Sequence, residues 1–314
     1  MAFEILKEQY GELTEYVIQE TATNNRCVVV PELGGIARQL SLRKGTTLFS
    51  LLKTPGTPSE LLEDTKSAGE LLFPFASRIP DGKYKFLGKE YQLAPNDNEN
   101  AIHGLVRKHA FKLEEQVVGS DHAYIKLSYT LREKEGYPFS VDFSVKYKLD
   151  NAGVFSLTYE AKNAGTELCP VMFGWHPYFV LGNEDVDAWK INIPSDTIVV
   201  FDNRMSPIDT APFPIEGSMP LFKKALDNAF IVKNNGDDKA VTQLISEKQH
   251  VTLQIEQEAG EGKFNYLVVY TPPARDCVAI EPLTANVNAF NNGEGLNVLA
   301  PGNTISGTIN LKLV

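Results

Sequence analysis

The stretch Phe173-Gly174-Trp175-His176-Pro177-Tyr178-Phe179 sets a titratable imidazole among aromatic rings, in a frame stiffened by glycine and proline. Histidine is the side chain whose ordinary pKa, about 6.5, lets it give or take a proton near neutral pH. Pro177 fixes its own φ and biases His176 toward extended geometry. Two readings stand side by side: a proton-transfer group at a site, or a core-strand histidine bonded to a backbone carbonyl. A complementary group occurs in Cys277-Val278-Ala279-Ile280-Glu281-Pro282, where Glu281 closes an apolar run and Pro282 is expected to stop the strand. A carboxylate so placed is either paired with a cation, Arg275 or Arg78, or held at a site that raises its proton affinity.

Three further groups carry weaker signals. His103 precedes Gly104, whose missing Cβ permits close backbone approach, though a loop-edge histidine is commonly just solvated. Arg78 lies in the apolar run Phe73–Pro80 and must find an acceptor, a structural carboxylate or a ligand, because an unpaired buried charge is costly. Asp227 precedes an apolar strand and alone reads as a turn or cap residue. No His-x-x-x-His or zinc-spaced cysteine pair occurs, nor a Gly-x-Ser-x-Gly elbow or glycine-rich phosphate loop, so metal, serine-hydrolase and nucleotide chemistry lose their usual signatures.

The elements that must position these groups are strands. From Phe139 to Leu149 the odd positions are apolar, the turn Asp150-Asn151-Ala152-Gly153 follows, and Phe155 to Ala161 alternates again. This predicts a long antiparallel hairpin with one buried face. Strands are also predicted at Ile36–Leu42, Tyr84–Phe86 with Glu90–Leu93, Tyr124–Leu131, Val251–Ile255, Tyr266–Tyr270 and Thr304–Val314. Ser59–Leu72 reads as partly helical, and Ser206–Pro220 and Asn234–Asp238 as surface loops. Without a Gly/Ser/Pro linker or a short repeat, the expectation is one domain over residues 1–314, an all-β antiparallel sandwich or barrel-like body.

Of 314 residues, 43% are hydrophobic and 22% charged, with a formal net charge of −10. That balance describes a soluble globular chain and argues against nucleic-acid binding, which needs a basic patch. The N-terminus lacks a basic and apolar leader pattern, and no apolar run approaches a membrane span. Three cysteines in apolar surroundings read as reduced core residues. The expected location is cytoplasmic.

The ordered set Arg78, His103-Gly104, His176-Pro177, Asp227 and Glu281-Pro282, with Asn288-Ala289-Phe290-Asn291 behind it, resembles the aldose 1-epimerase (galactose mutarotase-like) superfamily over most of the chain. The resemblance implies a β-supersandwich with a sugar groove and no metal or cofactor. It implies His176 as general acid and Glu281 as general base, with Arg78, His103 and Asp227 binding the sugar hydroxyls. The partner would be a small sugar, neither nucleic acid nor membrane, and the protein a monomer or homodimer. Because proton transfer needs hydrogen-bond reach to one sugar, His176 and Glu281 must converge across 105 positions. Two positions depart from galactose mutarotases: Leu267–Thr271 lacks their usual glutamine, and Ala76-Ser77 precedes the arginine where Ala-Asn is more usual. A divergent branch such as the hexose-6-phosphate epimerases is the alternative, with Arg78, Arg107 and Lys108 as phosphate ligands. A non-catalytic sugar-binding protein on the same fold is a third reading.

Overall fold

The computed structural model describes residues 2–234 and 236–314. It is all-β, about 52% strand and 5% helix, as period-2 alternation requires. Every ladder between its strands is antiparallel, as in the long hairpin of Val141–Asp150 with Phe155–Asn163. Nine strands form the largest sheet, running in order from Lys112–Val118 to Ser218–Pro220 with Thr304–Leu313 at its centre. Eight form the second, in which Asp227–Ile231, Tyr266–Tyr270 and Val278–Leu283 are neighbours. A five-stranded meander covers residues 3–50 in sequence order.

The inner faces of the two larger sheets meet through rings. Phe143 stacks on Phe73 with centroids 4.3 Å apart, Tyr159 on Phe173 at 4.3 Å, and Phe155 lies 6.1 Å from Trp175. Such pairs add about 0.5–1.5 kcal/mol each beyond the area they bury. They fix the backbone on either side of His176 from below, and the main core cluster runs from Phe3 to Leu311. Cys27, Cys169 and Cys277 are buried and unbridged. Among the described residues no helix is long and apolar enough to cross a membrane.

One local expectation is met only in part and two fail. Of Ser59–Leu72 only Pro58–Leu62 is helical, started by a Thr57–Glu60 capping box. The left-handed backbone at Ser67 (φ 61°) and Gly69 (φ 80°) ends any continuation, and Leu71–Leu72 pairs as a strand with Gly174–Trp175. Ser206–Pro220 contains two strands, Pro207–Pro212 and Ser218–Pro220, each terminal in its sheet, where proline's missing donor costs no ladder bond. Pro282 does not stop its strand, which runs Val278–Leu283. In the tract Asn234–Asp238, Asn235 lies outside the described residues, while Asn234 and Gly236–Asp238 are exposed.

Candidate active site

The register of three strands places the acids. Glu281 is opposite Val268, which is opposite Ala229; two residues along, Ala279, Tyr270 and Asp227 form the next row on that face. Residues two apart on a strand share a face, so Glu281, Tyr270 and Asp227 look out on one side while Ile280, Val269 and Phe230 fill the core. The sequence alternation therefore brings both carboxylates to one groove.

His176 reaches the same groove because its segment leaves the ladder. Pairing with the glutamate strand occurs at Gly174–Leu283 and at Tyr178–Ala279, with none between. Across that gap the His176 N–H donates to the Glu70 carbonyl at 3.0 Å, and its carbonyl accepts from Gly69 N–H at 2.9 Å. The same gap explains why Pro282 is tolerated: its nitrogen lies where the neighbouring segment makes no ladder bond. The imidazole turns over the sheet and sets Nε2 3.4 Å from Glu281 Oε1. This exceeds a made N–H···O bond but leaves both groups within reach of one substrate.

His103 completes an imidazole pair, its ring 5.2 Å from that of His176 at nearly a right angle. Its position requires two successive left-handed residues, His103 (φ 63°) and Gly104 (φ 80°). A Cβ on Gly104 would sit 2.2 Å from the Phe73 carbonyl oxygen, so glycine is required there. Arg78, paired by register with Ile102, holds Asp97 at 3.0 Å. Arg107 holds the buried Glu70 at 3.1 Å.

These groups line a cavity of about 590 Å3 that contains Arg78, His103, Arg107, His176, Asp227 and Glu281. All five sequence-predicted site residues are thus brought together. Neither candidate cation is paired with Glu281: Arg275 binds Asp187 at 2.6 Å and Arg78 binds Asp97. Of the phosphate set, Arg78 and Arg107 line this cavity and Lys108 does not. Lys108 donates to the Leu62 carbonyl at 3.2 Å, and both arginines already hold carboxylates. Missed were Tyr270, the Thr65–Ser67 loop and an apolar wall of Phe201, Met205, Val268 and Val287. Val268 and Tyr270 had a signal, lying two apart in the predicted Tyr266–Tyr270 strand and so on one face.

Burial dominates the electrostatics. His176 and Glu281 are 6% and 3% exposed. Burial pushes the imidazole of His176 down to about 4. It pushes Glu281 well above the usual carboxylate range, with the Asp227 charge adding to the rise. His103 is also held well below its ordinary value, by burial and then by His176. Asp227 is raised by burial and partly restored by Arg78. The Nδ1 atoms of His103 and His176 make no hydrogen bond within the protein, so the carbonyl-bonded core histidine is not what forms. Two neutral-leaning groups of opposite function, adjacent and buried, can pass one proton to and from a bound hydroxyl or ether oxygen. Among the described residues no cluster of three or more His, Cys, Asp or Glu could hold a metal ion.

Comparison with known proteins is consistent with this geometry. Residues 16–312 match the family model described as aldose 1-epimerase. The chain is 26% identical over 260 residues to the uncharacterized protein YihR of Escherichia coli, covering 80% of each. It is 26% identical over 247 residues to the aldose 1-epimerase of the same organism, covering 70% of each. A galactose mutarotase-like protein from Clostridium acetobutylicum superposes with a TM-score of 0.87 at 20% identity, covering 100% of this chain and 99% of the other.

Proposed function

The chain belongs to the aldose 1-epimerase family, and from that premise we propose that it interconverts the α and β anomers of an unphosphorylated hexose ring. The observation that carries this reading is the buried His176–Glu281 pair, 3.4 Å apart and facing one cavity. Glu281 takes the proton of the anomeric hydroxyl while His176 protonates the ring oxygen. The C1–O5 bond breaks, C1 becomes an aldehyde carbon, and O5 becomes a hydroxyl. After rotation about C1–C2, O5 attacks the other face of C1 and both protons return. Arg78, His103 and Asp227 hold the remaining hydroxyls.

Ring opening leaves Glu281 as a carboxylic acid and His176 as a neutral imidazole. Burial favours that same state, so the site stabilises the pair as it stands beside the open-chain aldehyde. The charged starting form differs only by one proton moved across the pair. Each positioned transfer is worth about 10²–10⁴-fold.

The test is polarimetry on fresh α-glucose and α-galactose with wild type and Glu281→Gln. Catalysed mutarotation should fall by about 10²–10⁴-fold in the variant, with sugar binding retained. Normal activity in Glu281→Gln would sink the assignment, and a wild type that binds sugar without any rate above background would favour the non-catalytic reading. A strong preference for glucose 6-phosphate over glucose would favour the phosphate branch, against the paired state of Arg78 and Arg107.

A further inference from the structure

Glu281 stands between His176 and an apolar surface. The His176 segment pairs with one edge of the glutamate strand, at Gly174–Leu283 and Tyr178–Ala279. The other edge pairs with Tyr266–Tyr270, which sets Val268 opposite Glu281. Beyond Val268 the groove face stays apolar: Val199, Ala229 and Val287 are buried together, with Phe201 and Val268 partly buried against them. All of these but Val199 line the cavity, and Met205 joins them. Resting on the anomerase reading above, we propose that the sugar this site takes carries no hydroxyl on C2. Its C2 is either a methylene or bears an acetamido group whose methyl end meets this wall.

The position on the ring follows from the order of the groups. With O5 at His176 and O1 at Glu281, the path O5–C1–C2 runs from the histidine across the glutamate toward Val268. C5 and C6 lie on the His176 side. A hydroxyl on C2 would therefore point at valine, phenylalanine and methionine side chains, none of which offers a strong hydrogen bond. Taking that hydroxyl from water and leaving it unpaired is costly, whereas a methylene or methyl gains from the same burial. Arg78, His103 and Asp227 remain for the hydroxyls farther round the ring.

The wall is fixed before any sugar arrives. Met205 (φ 60°) lies in the turn between Thr197–Phe201 and Pro207–Pro212. The Asp202 carboxylate ties that turn by accepting from the Arg204 and Ser206 N–H groups, and Arg204 reaches across to Asp81 at 2.6 Å. Val287 is held from the other side: its carbonyl accepts from the Asn292 side chain at 3.0 Å, and the left-handed Asn288 (φ 60°) turns the chain behind it. A held apolar face rimmed by imidazole, guanidinium and carboxylate groups has the character of a recognition surface.

Polarimetry on glucose, 2-deoxyglucose, N-acetylglucosamine and 6-deoxyglucose, in wild type, Val268→Thr and Met205→Gln, tests this. In wild type the better of the two C2-modified sugars should exceed glucose in kcat/KM by about 10–100-fold, the range an apolar pocket reaches against an added hydroxyl; which of the two it is tells methylene from acetamido. Val268→Thr sets a hydroxyl in the wall at nearly unchanged volume and should cut the ratio of that sugar to glucose by about fivefold or more, a ratio in which intrinsic reactivity cancels. Melting curves check folding, and Met205→Gln, in a part-exposed turn, carries the same comparison if Val268→Thr does not fold. A C2 advantage below about tenfold, an advantage confined to 6-deoxyglucose, or a ratio that no folded variant moves would overturn the proposal. If no sugar is turned over, the anomerase reading fails separately. Saturation-transfer NMR in competition then decides the wall: C2-modified sugars bound no tighter than glucose, or bound as tightly by the variants, would overturn it.

Discussion

Replacing His176 by glutamine tests the central electrostatic claim without any substrate. Two effects oppose each other at this imidazole. Attraction to a charged Glu281 at 3.4 Å is worth about 5 kcal/mol at an effective dielectric near 20. Removing both ions from water costs several kcal/mol per ion, and the pair is at most 6% exposed. The burial cost is the larger, so the folded protein keeps His176 neutral, with its pKa at about 4 against an ordinary 6.5. The sign of the linkage follows. Below pH 6.5 the unfolded chain gains a proton that the folded one refuses, so the stability His176 contributes is present above 6.5 and is lost as pH falls through about 4.

The loss runs at about 1.4 kcal/mol per pH unit and totals about 3 kcal/mol. Glutamine does not titrate, and the other groups are common to both proteins. The stability of wild type minus that of His176→Gln, from urea unfolding between pH 4 and 8, should therefore be flat above 6.5 and fall by about 3 kcal/mol toward pH 4. A flat difference throughout would mean that the imidazole titrates normally. A difference that grows on acidification would mean that Glu281 holds it charged, and the argument from burial would be refuted.

The pH profile of kcat/KM should carry the same signature: its acid limb, where a second proton blocks Glu281 from acting as base, should lie near pH 4, and a limb at 6.5 would contradict it. Gly104→Ala should lower stability by at least about 2 kcal/mol, since a left-handed alanine alone costs about 1–2 and its Cβ would lie 2.2 Å from the Phe73 oxygen; unchanged melting would show that the loop has another arrangement. Arg107→Met leaves Glu70, 8% exposed in its side chain, without its cation, and should cost about 3–5 kcal/mol. Adding Glu70→Gln should recover much of that, and a double variant as unstable as the single one would deny the coupling.

The sheets were legible wherever one face is buried and the other wet. Val141–Asp150, Phe155–Asn163 and Tyr266–Tyr270 keep a period of two because each is sheltered on one side only. The pattern misled where apolar pairs served two elements: Leu61 belongs to a one-turn helix and Leu71 to a strand, and the left-handed Ser67 and Gly69 between them leave little trace in residue type. The N-terminal meander was read only at its fourth strand: the edge strand Phe3–Tyr10 is exposed at four of its eight positions and alternates weakly, and Arg26–Val30 is buried almost throughout and so shows a continuous apolar run with no period of two.

The five site residues were found through their order along the chain, whereas their partners were not. Which carboxylate meets which arginine depends on loops that cross between segments. Arg78 takes Asp97 from the polar loop before His103, and Arg107 takes Glu70, the residue just ahead of the Leu71–Leu72 strand and the one whose carbonyl anchors His176. That allocation has a chemical consequence. Had either arginine reached Glu281, its charge would have stabilised the carboxylate and drawn its proton affinity down, and the base would have been too weak to hold the anomeric proton. By occupying both arginines elsewhere, the fold leaves Glu281 with His176 as its neighbour. Burial lowers the proton affinity of His176 to about 4 and, with the Asp227 charge, raises that of Glu281 well above its usual range, so the proton the pair shares rests on the carboxyl and is returned to the sugar as the ring closes.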